Sequence, residues 1–424
     1  MKERLAIVEG VRTPFCKANE LFRHFEADDL GAFAVKELLA RLPFSPELID
    51  ELIFGNVIQP PHAANVARIV AVKGGLPIKT PAYTVNRNCA SGLEAIVSAA
   101  NKIEAGEASI ILVGGTESMS HFPVMFSNRM RELLLKFSKA KTWMQKFSLL
   151  LSVRPSLFVP QVPKLADPLC DLSMGQTAEL VARQFKVSRE EQDVFALMSQ
   201  ERALAARDRL AEEIIPIPYP PTYDKIQKID DGPRAGTTLE GLAKLKPAFD
   251  ALTGTVTAGN SSQITDGAIA LIVMPESRAK ELGLKPLGYM VDYTAIGLDP
   301  SRMGLGPAYA IAKLLKKTGK NLNDFDLIEI NEAFAAQVIG VERALNSAEF
   351  CQKELGSAKV IGQIDRDKLN VNGGAIALGH PLGASGARLV LTLLKELKRR
   401  KKNTGLASLC VGGGQGEAVS LEVY

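Results

Sequence analysis

The chain has 424 residues, of which 46% are hydrophobic and 23% charged, and its formal net charge at neutral pH is +4. This length exceeds what one hydrophobic core ordinarily supports, so two or three domain-sized units are expected. The composition is that of a globular protein, and so mild a positive charge argues against a nucleic-acid-binding protein. No run of 18 apolar residues occurs, which argues against a membrane-spanning helix.

The five cysteines are odd in number and widely spaced, and no CxxC pair occurs among them. This pattern predicts neither a disulfide framework nor a zinc site, and a reduced compartment fits it best. The opening stretch MKERLAIVEGVRTPF leads directly into a strand-like run, without the apolar region of a secretory signal. We therefore expect a cytoplasmic protein.

Short apolar runs that end in glycine or polar turns predict central parallel β-strands covered by helices on both faces. They are Ile110 to Val113, Ala268 to Met274, Leu327 to Ile330 and Leu406 to Val411. Helical periodicity is present over residues 93–103, where Gly106 is placed to end the helix, and over residues 389–397. This alternation predicts a layered α/β architecture.

Two parts of the chain repeat the same order of elements. CASGLEAIVSAANKI (89–103) precedes the strand-like IILVGGTES (110–118), and GASGARLVLTLLKEL (383–397) precedes LASLCVGGGQGE (406–417). Any two strand–helix–strand units look somewhat alike, but the shared Ala-Ser-Gly and the common order favour a duplication of α/β halves.

An inserted domain is predicted between the halves, over residues 121–250, because this stretch is rich in proline and basic residues. The first half resumes afterwards, so residues 1–120 completed by 251–277 form the predicted N-terminal half. Residues 278–424 form the predicted C-terminal half.

Residues 126–154 of the insertion carry seven Lys or Arg residues against one acid, Glu132, and contain the only tryptophan, Trp143. Their apolar residues recur at near-helical spacing. This pattern is typical of a helix that lies on an anionic membrane surface. A lid, or a subunit contact with a solvated basic face, is the alternative.

Cys89 follows a strand-like run and opens a helix. Unpaired N–H groups and the positive end of a helix dipole lower the pKa of a thiol, so this position suits a nucleophile. A packed, inert cysteine is the alternative. A nucleophilic thiol needs a base, and among the four histidines only His380 lies in a glycine-rich segment, residues 370–389. Alone, His380 would be interpreted as a histidine satisfied within a turn.

Cys410 ends an apolar strand, and three glycines follow it. Glycines in this position expose N–H groups that suit an oxyanion, and a cysteine beside them can shuttle a proton. A phosphate loop is the alternative, but no GxxxxGK[ST] is present and no GxGxxG follows a strand. Asn331 and Glu332 come directly off another strand, where such a polar pair usually caps a helix. An asparagine in this position could also hold a water or an oxygen.

Together these segments resemble the thiolase family over essentially the whole chain. The motifs are NCASG (88–92), VTAGNSSQITDGA (256–268), NEAFA (331–335), GGAIALGHPLGASG (373–386) and CVGGGQG (410–416). The resemblance implies an α/β fold of duplicated βαβαβαββ halves in a layered α/β/α/β/α arrangement, with an inserted loop domain. It also implies a homodimer or a dimer of dimers.

The resemblance implies a role for each matching residue. Cys89 is the cysteine that is acylated, His380 is the base that activates it, and Cys410 exchanges a proton with the α-carbon of acetyl-CoA. Asn331 holds a water that forms, with His380, the hole for the thioester enolate.

The backbone N–H groups of Cys89 and Gly412 form a second hole, around the acyl-enzyme oxyanion. Ser262 touches the pantetheine of CoA. The implied reaction is the CoA-dependent cleavage of a 3-ketoacyl-CoA to acetyl-CoA and a shortened acyl-CoA in fatty-acid β-oxidation. CoA is a substrate in it, and no metal or redox cofactor is expected.

Two departures from the family pattern bear on the type of thiolase. Ser173 stands where many biosynthetic thiolases have a histidine, which argues against a dedicated acetoacetyl-CoA enzyme. The segment 126–154 resembles the longer loop of the trifunctional-enzyme β-subunits, which partner a hydratase/dehydrogenase α-subunit. A biosynthetic thiolase, a decarboxylating ketoacyl synthase and a non-catalytic lipid carrier are the alternatives. CVGGGQG argues against the synthase, and the retention of Cys89, His380 and Cys410 argues against the carrier.

Overall fold

A computed structural model describes residues 3–159 and 166–424. Residues 1–2 of the predicted N-terminal half, and 160–165 of the predicted insertion, lie outside the described residues. The chain divides into two compact units, one formed by residues up to His121 and from Asp167 onwards, the other by Phe122–Ala166. The predicted boundaries at residues 120, 250 and 277 stay predictions.

Most strands are short, as the apolar runs predicted. They are β1 (Leu5–Arg12), β2 (Cys16–Lys17), β3 (Glu51–Gly55), β4 (Ala82–Val85), β5 (Ile111–Glu117), β6 (Ala166–Asp167), β7 (Leu172–Ser173), β8 (Ile217–Tyr219), β9 (Lys225–Gln227), β10 (Thr265–Pro275), β11 (Gly288–Gly297), β12 (Leu327–Ile330), β13 (Thr404–Val411) and β14 (Gln415–Glu422). Strands β10 and β11 are longer, with 11 and 10 residues. Each of the four predicted strands coincides with one of these strands.

The α-helices fill the stretches between the strands. They are α1 (Ala27–Arg41), α2 (Val66–Lys73), α3 (Ser91–Glu104), α4 (Asn128–Lys139), α5 (Trp143–Leu151), α6 (Met174–Gln184), α7 (Arg189–Ala205), α8 (Arg207–Ala211), α9 (Leu239–Ala243), α10 (Glu276–Glu281), α11 (Gly306–Thr318), α12 (Ala335–Leu345), α13 (Ala348–Lys353), α14 (Ala375–Leu378) and α15 (Leu382–Arg400). The two helices predicted from periodicity are α3 and α15.

The main sheet of the larger unit has a mirrored strand order. It runs β12-β13-β14-β11-β1-β10-β5-β3-β4, with β2 beside β10. The two halves meet where residues 5–7 of β1 pair with residues 288–290 of β11. On either side of that junction, β5 is parallel to β3 and β13 is parallel to β12. The mirrored order agrees with the predicted duplication.

The expectation that all four predicted strands are parallel is wrong for β10. This strand runs antiparallel to both β1 and β5. An apolar run shows that a strand is buried on both faces, and β10 is buried along almost its whole length. Burial on both faces does not determine direction, which depends here on how the chain returns from residues 118–264.

Three hydrophobic clusters lie between the layers of the larger unit and hold them together. The middle cluster combines α3 and α15 with strands of both halves. One outer cluster packs α1 and α2 on the N-terminal half of the sheet, and the other packs α11 and α12 on the C-terminal half. The predicted layered α/β/α/β/α arrangement is therefore confirmed.

Helices α3 and α15 pack closely where each begins. A Cβ on Gly92 would lie 2.7 Å from the carbonyl oxygen of Gly383 and 2.9 Å from the nitrogen of Ala387. A Cβ on Gly386 would lie 2.5 Å from the nitrogen of Leu93. The glycine of each repeated Ala-Ser-Gly therefore allows the two backbones to approach, which no side chain would permit.

The smaller unit contains two helices where the sequence predicted one. Ser127 caps α4 and Thr142 caps α5, so the segment 126–154 breaks between them at residues 140–142. The Ser and Thr side chains satisfy the first N–H groups of a helix, and hydrophobic periodicity alone does not register such a break. In the described part of the chain, no helix is long and apolar enough to cross a membrane.

Replacing Gly92 by alanine should destabilise the protein, because the new Cβ meets backbone atoms that cannot move aside. We expect a loss of about 1–3 kcal/mol in the free energy of unfolding, measured by urea denaturation. Gly241→Ala in α9 is the control, because its Cβ meets only the Thr238 hydroxyl at 3.4 Å. It should be neutral or add about 0.5–1 kcal/mol. Equal effects of the two substitutions would contradict the close helix contact.

Candidate active site

Cys89 lies in the turn that joins β4 to α3. The turn is held by Ser91, whose hydroxyl accepts a hydrogen bond from the Arg87 N–H at 2.9 Å and donates one to the Asn88 carbonyl at 2.7 Å. Asn88 adopts the left-handed conformation with φ of 44°. Asparagine tolerates that conformation better than most residues, so the local sequence suits the turn.

Two backbone N–H groups, those of Gly412 and of Cys89 itself, interact with the Cys89 sulfur. Desolvation nevertheless raises the pKa of the Cys89 thiol, and the two N–H groups offset this only in part. The N–H group at the helix start lowers the pKa of this thiol as predicted, but the net shift is upward because desolvation is the larger effect. Burial outweighs the N–H groups, which the sequence could not show.

The peptide group between Gly412 and Gly413 is held by a hydrogen bond on each side. Its carbonyl accepts a hydrogen bond from Asn88 Nδ2 at 2.7 Å. The next N–H, that of Gly413, donates to the buried carboxylate of Asp167 at 2.7 Å. Gly413 and Gly414 both have positive φ, 86° and 72°, as a nest of N–H groups after a strand requires. Asp167 was missed because nothing in its local sequence distinguishes it from a loop residue.

Cys410 is buried at the end of β13, next to Cys89. Desolvation raises the pKa of the Cys410 thiol well above its usual value, and the neighbouring Cys89 raises it further. Cys410 is therefore a neutral thiol near neutral pH, which is the form that can give up a proton.

His380 is buried just before α15, and both ring nitrogens have partners. Nδ1 lies 2.6 Å from the Ser385 hydroxyl, which itself donates to the Pro381 carbonyl at 2.9 Å. Because the single hydroxyl proton is used there, Ser385 accepts from Nδ1–H, and the lone pair is left on Nε2. Burial, with a smaller effect of Arg388, lowers the pKa of His380 to about 3. The imidazole is therefore neutral and able to accept a proton.

Asn331 lies beside His380, with Nδ2 3.3 Å from Nε2 of the imidazole. The turn is shaped by Asn370, whose side chain accepts from the N–H of Ile330 and donates to its carbonyl, each at 2.9 Å. The Asn331 Oδ1 is buried and has no hydrogen-bond partner within the described ranges. It is an acceptor suited to a bound water.

Glu332, the neighbour of Asn331, is fully buried. Its carboxylate accepts hydrogen bonds from Ser199, Asn370 and the N–H of Ile376. These contacts tie the NEAFA turn to α7 and α14. The sequence predicted a helix cap for the pair Asn331 and Glu332, whereas the Glu332 carboxylate supports the turn through these three hydrogen bonds.

Ser262 is partly exposed in the loop before β10. Its backbone N–H donates to the Ala333 carbonyl at 2.9 Å. The carbonyl of the next residue, Gln263, accepts from the backbone N–H of His380 at 3.0 Å. The loop of Ser262 is thus bonded to the turns that carry Asn331 and His380.

The predicted residues fall into two groups, Cys89 with Cys410 and Gly412, and His380 with Asn331. The close packing of α3 on α15 joins the groups, because Cys89 precedes one helix and His380 the other. Glu117 supports this junction by accepting the Gly383 N–H at 2.9 Å, and burial raises the pKa of Glu117 to about 7. No group of His, Cys, Asp and Glu that could hold a metal ion occurs among residues 3–159 and 166–424.

The arrangement can form and break a thioester, since it offers a thiol, a neutral base and two N–H donors. The sequence models of the thiolase N-terminal and C-terminal domains match residues 5–277 and 284–423. The chain belongs to the thiolase family.

Named relatives of this thiolase cover nearly its full length. It is 42% identical over 426 residues to a 3-ketoacyl-CoA thiolase of Aeromonas salmonicida, covering 99% of this chain and 97% of the relative. A 3-ketoacyl-CoA thiolase of Vibrio cholerae is 42% identical over 425 residues, with the same coverage.

Two solved structures share the fold. The acetyl-CoA acetyltransferase of Bacillus anthracis has a TM-score of 0.86 and 38% identity, covering 100% of this chain and 99% of that one. Human mitochondrial 3-ketoacyl-CoA thiolase in complex with CoA has a TM-score of 0.84 and 40% identity, covering 100% and 98%.

The raised pKa of Cys89 predicts how the free protein reacts with iodoacetamide. Because only the thiolate is alkylated, the rate at Cys89 should rise about tenfold per pH unit, or about a hundredfold from pH 6 to pH 8. Mass spectrometry of the labelled peptide measures this rate, with the buried Cys410 as an internal reference that stays unlabelled. A rate that is constant between pH 6 and pH 8 would mean that Cys89 is already a thiolate, and would contradict the assignment.

Proposed function

We propose that the protein is a 3-ketoacyl-CoA thiolase. This acyltransferase cleaves a 3-ketoacyl-CoA with CoA into acetyl-CoA and a shortened acyl-CoA, in fatty-acid β-oxidation. The observation that carries the proposal is the hydrogen bond of 2.7 Å from Asn88 Nδ2, in the turn of Cys89, to the carbonyl of Gly412, which follows the strand end of Cys410. The 3-ketoacyl-CoA thiolases that are 42% identical to this chain support it.

In the first step the sulfur of Cys89 attacks the 3-keto carbon, and His380 Nε2 takes the thiol proton. The raised pKa of the thiol and the lowered pKa of the imidazole mean that the resting pair is neutral. The proton therefore moves only when a carbonyl is in place to accept the sulfur. The oxyanion that forms is stabilised by the N–H groups of Cys89 and Gly412.

The C2–C3 bond then breaks, which leaves the acyl group on Cys89 and the enolate of acetyl-CoA. A carbanion next to a thioester is costly unless its oxygen is hydrogen-bonded and its carbon is protonated. His380, with a water held by Asn331, would bind the enolate oxygen, and the Cys410 thiol would protonate the carbon.

In the second half, the thiol of CoA attacks the acyl group and gives its proton to the Cys410 thiolate. Cys89 leaves and recovers its own proton from His380, so the enzyme returns to its starting state. CoA is a substrate, and Ser262 would contact its pantetheine. We propose that no metal or redox cofactor takes part, because every proton transfer in the cycle has a partner on the chain.

The roles of the two cysteines can be separated by measuring two reactions. Exchange of labelled CoA with an acyl-CoA uses Cys89 and His380 and moves protons only between sulfurs, a transfer in which water can replace Cys410. Cleavage of a 3-ketoacyl-CoA also needs a proton delivered to carbon. Cys410→Ala should therefore lose about 10²–10⁴-fold in cleavage and keep most of the exchange. Cys89→Ala should lose both reactions.

Cys351→Ala is the matched control, since Cys351 is buried in α13, outside both site groups. It should keep both activities. If Cys410→Ala lost exchange and cleavage equally, the assignment of Cys410 to carbon protonation would be wrong.

The acyl chain length decides between degradation and synthesis. Cleavage of 3-ketoacyl-CoAs of eight to sixteen carbons would support the degradative type. Activity limited to acetoacetyl-CoA would support a biosynthetic acetyl-CoA acetyltransferase, which the likeness to the Bacillus anthracis enzyme favours. Against that type, Ser173 stands where many biosynthetic thiolases have a histidine, and its hydroxyl accepts from the Gln176 N–H and caps α6.

We also propose that the protein acts in the cytoplasm as at least a homodimer.

We further propose that α4 and α5 dock on an anionic lipid surface. Supporting the docking, Trp143, Met144, Phe147 and Leu151 are exposed on α5. Basic residues accompany them in the same unit, including Lys136, Lys139 and Lys141. Exposed apolar side chains flanked by cations are what such a surface binds. A hydratase/dehydrogenase α-subunit is the alternative occupant.

Vesicle binding tests this docking through Trp143, whose fluorescence should shift to the blue when vesicles containing phosphatidylserine are added. Replacing Lys136, Lys139 and Lys141 by glutamine should weaken binding about a hundredfold, since each cation contributes about 1 kcal/mol. The control replaces three exposed lysines elsewhere by glutamine and so removes the same charge. These are Lys36, Lys285 and Lys316. Binding that is equally strong in both triple variants would contradict docking through these first three lysines, 136, 139 and 141. A wild-type protein whose Trp143 fluorescence does not respond to the vesicles would rule out a lipid surface and favour the α-subunit.

A further inference from the structure

A buried glutamate lies directly beside the strand end that carries Cys410 and takes no part in the proposed reaction. Glu417 on β14 is paired with Leu409 of β13, and the adjacent pair in the register is Cys410 with Gly416. Its side chain is fully buried. In the described part of the chain, neither oxygen of its carboxyl group receives a hydrogen bond from an N–H or a hydroxyl donor.

The charged groups that face Glu417 are Glu94 and Arg87. Glu94 lies in the first turn of α3, and its carboxyl is in hydrogen-bonding contact with that of Glu417. Glu94 Oε2 also lies 2.7 Å from Arg87 Nε. On the strands that flank β14, the residues opposite Glu417 are apolar, Leu409 and Ala295.

Two carboxyl groups in contact in a desolvated place cannot both be ionised, because each charge opposes the other. Arg87, the cation that faces the two carboxyl groups, pairs with Glu94. Glu94 is therefore the partner that keeps its negative charge, and the proton belongs to Glu417. Burial, and then the contact with Glu94, raise the pKa of Glu417 well above its usual value.

We propose that Glu417 is a positioning residue that, in its protonated form, donates a hydrogen bond to Glu94. The chain from Arg87 through Glu94 to Glu417 then joins three elements. Arg87 belongs to the turn that carries Cys89, Glu94 to the helix that this turn starts, and Glu417 to the hairpin that carries Cys410 and Gly412. The proton on Glu417 thus holds the nucleophile in register with its proton donor and its oxyanion site.

Ionisation of Glu417 would place a second negative charge against Glu94 and break this chain. Because its folded-state pKa is raised, the stability that Glu417 contributes is fully present below the ordinary glutamate pKa, about 4.3. That stability is lost as pH rises towards the folded-state pKa. The proposal deepens the thiolase function and rests on it for the kinetic readout, but the dependence of stability on pH does not rest on it.

Two substitutions separate the hydrogen bond from the packing. Glu417→Gln keeps the length and a donor for Glu94 but cannot titrate, whereas Glu417→Leu keeps the bulk without a donor. We expect Glu417→Gln to keep kcat within about twofold and Glu417→Leu to lose about tenfold to a hundredfold in kcat at unchanged KM. The melting temperature of Glu417→Gln should exceed that of the wild type more at pH 9 than at pH 5.

Glu240→Gln is the control, because it is the same Glu-to-Gln exchange at an exposed position, at the start of α9. Its difference in melting temperature from the wild type should not change with pH. A pH-independent difference for Glu417→Gln as well would show that Glu417 holds no proton, and would overturn the proposal. Equal losses of kcat in the Gln and Leu variants would also overturn it.

If no variant and no wild-type sample cleaves a 3-ketoacyl-CoA, the proposed function fails and the positioning role is judged by iodoacetamide. The alkylation rate of Cys89 should then change in Glu417→Leu and stay at the wild-type value in Glu417→Gln. Rates that are the same in both variants would overturn the positioning role independently of any activity.

Discussion

The close approach of α3 and α15 is the contact on which the active site depends. Gly92 and Gly386 let the two backbones touch at their first turns, in the middle of the layered structure. Cys89 stands just before one helix and His380 just before the other. Neither half of the chain holds both the proposed nucleophile, Cys89, and the proposed base, His380, so the distance between them is set by a packing contact between helices.

The second constraint is electrostatic. Cys89, Cys410 and His380 all lie where desolvation favours the uncharged form, which raises the pKa of both thiols and lowers the pKa of the imidazole. At rest the two thiols and the imidazole therefore form no ion pair, and the N–H groups of Cys89 and Gly412 face a neutral sulfur. A negative charge develops only when the sulfur attacks a carbonyl. The fixed N–H dipoles therefore stabilise the transition state more than the ground state.

Much of the fold and site could be predicted from the sequence, because glycine-rich turns and apolar runs are local signals. Cys89, His380, Cys410 and Asn331 were proposed as site residues only from the thiolase motifs taken together, since each alone has an ordinary structural explanation. Asp167 and the net upward shift in the pKa of Cys89 were not predicted, since both arise from contacts between residues far apart in the chain. The direction of β10 and the break between α4 and α5 were missed because periodicity reports burial and not connectivity. The hydrogen bond between the Ser385 hydroxyl and the His380 ring was missed, although Ser385 lies in the motif GGAIALGHPLGASG.

The neutral resting state of Cys89 also bears on chemical damage. Peroxide and other oxidants attack thiolates far faster than thiols, and the first product, a sulfenic acid, leads on to forms that cannot be reversed. A nucleophile that loses its proton only in the presence of a carbonyl spends little time in the vulnerable form. The desolvation that makes Cys89 a weak nucleophile at rest thus protects it from oxidation between turnovers.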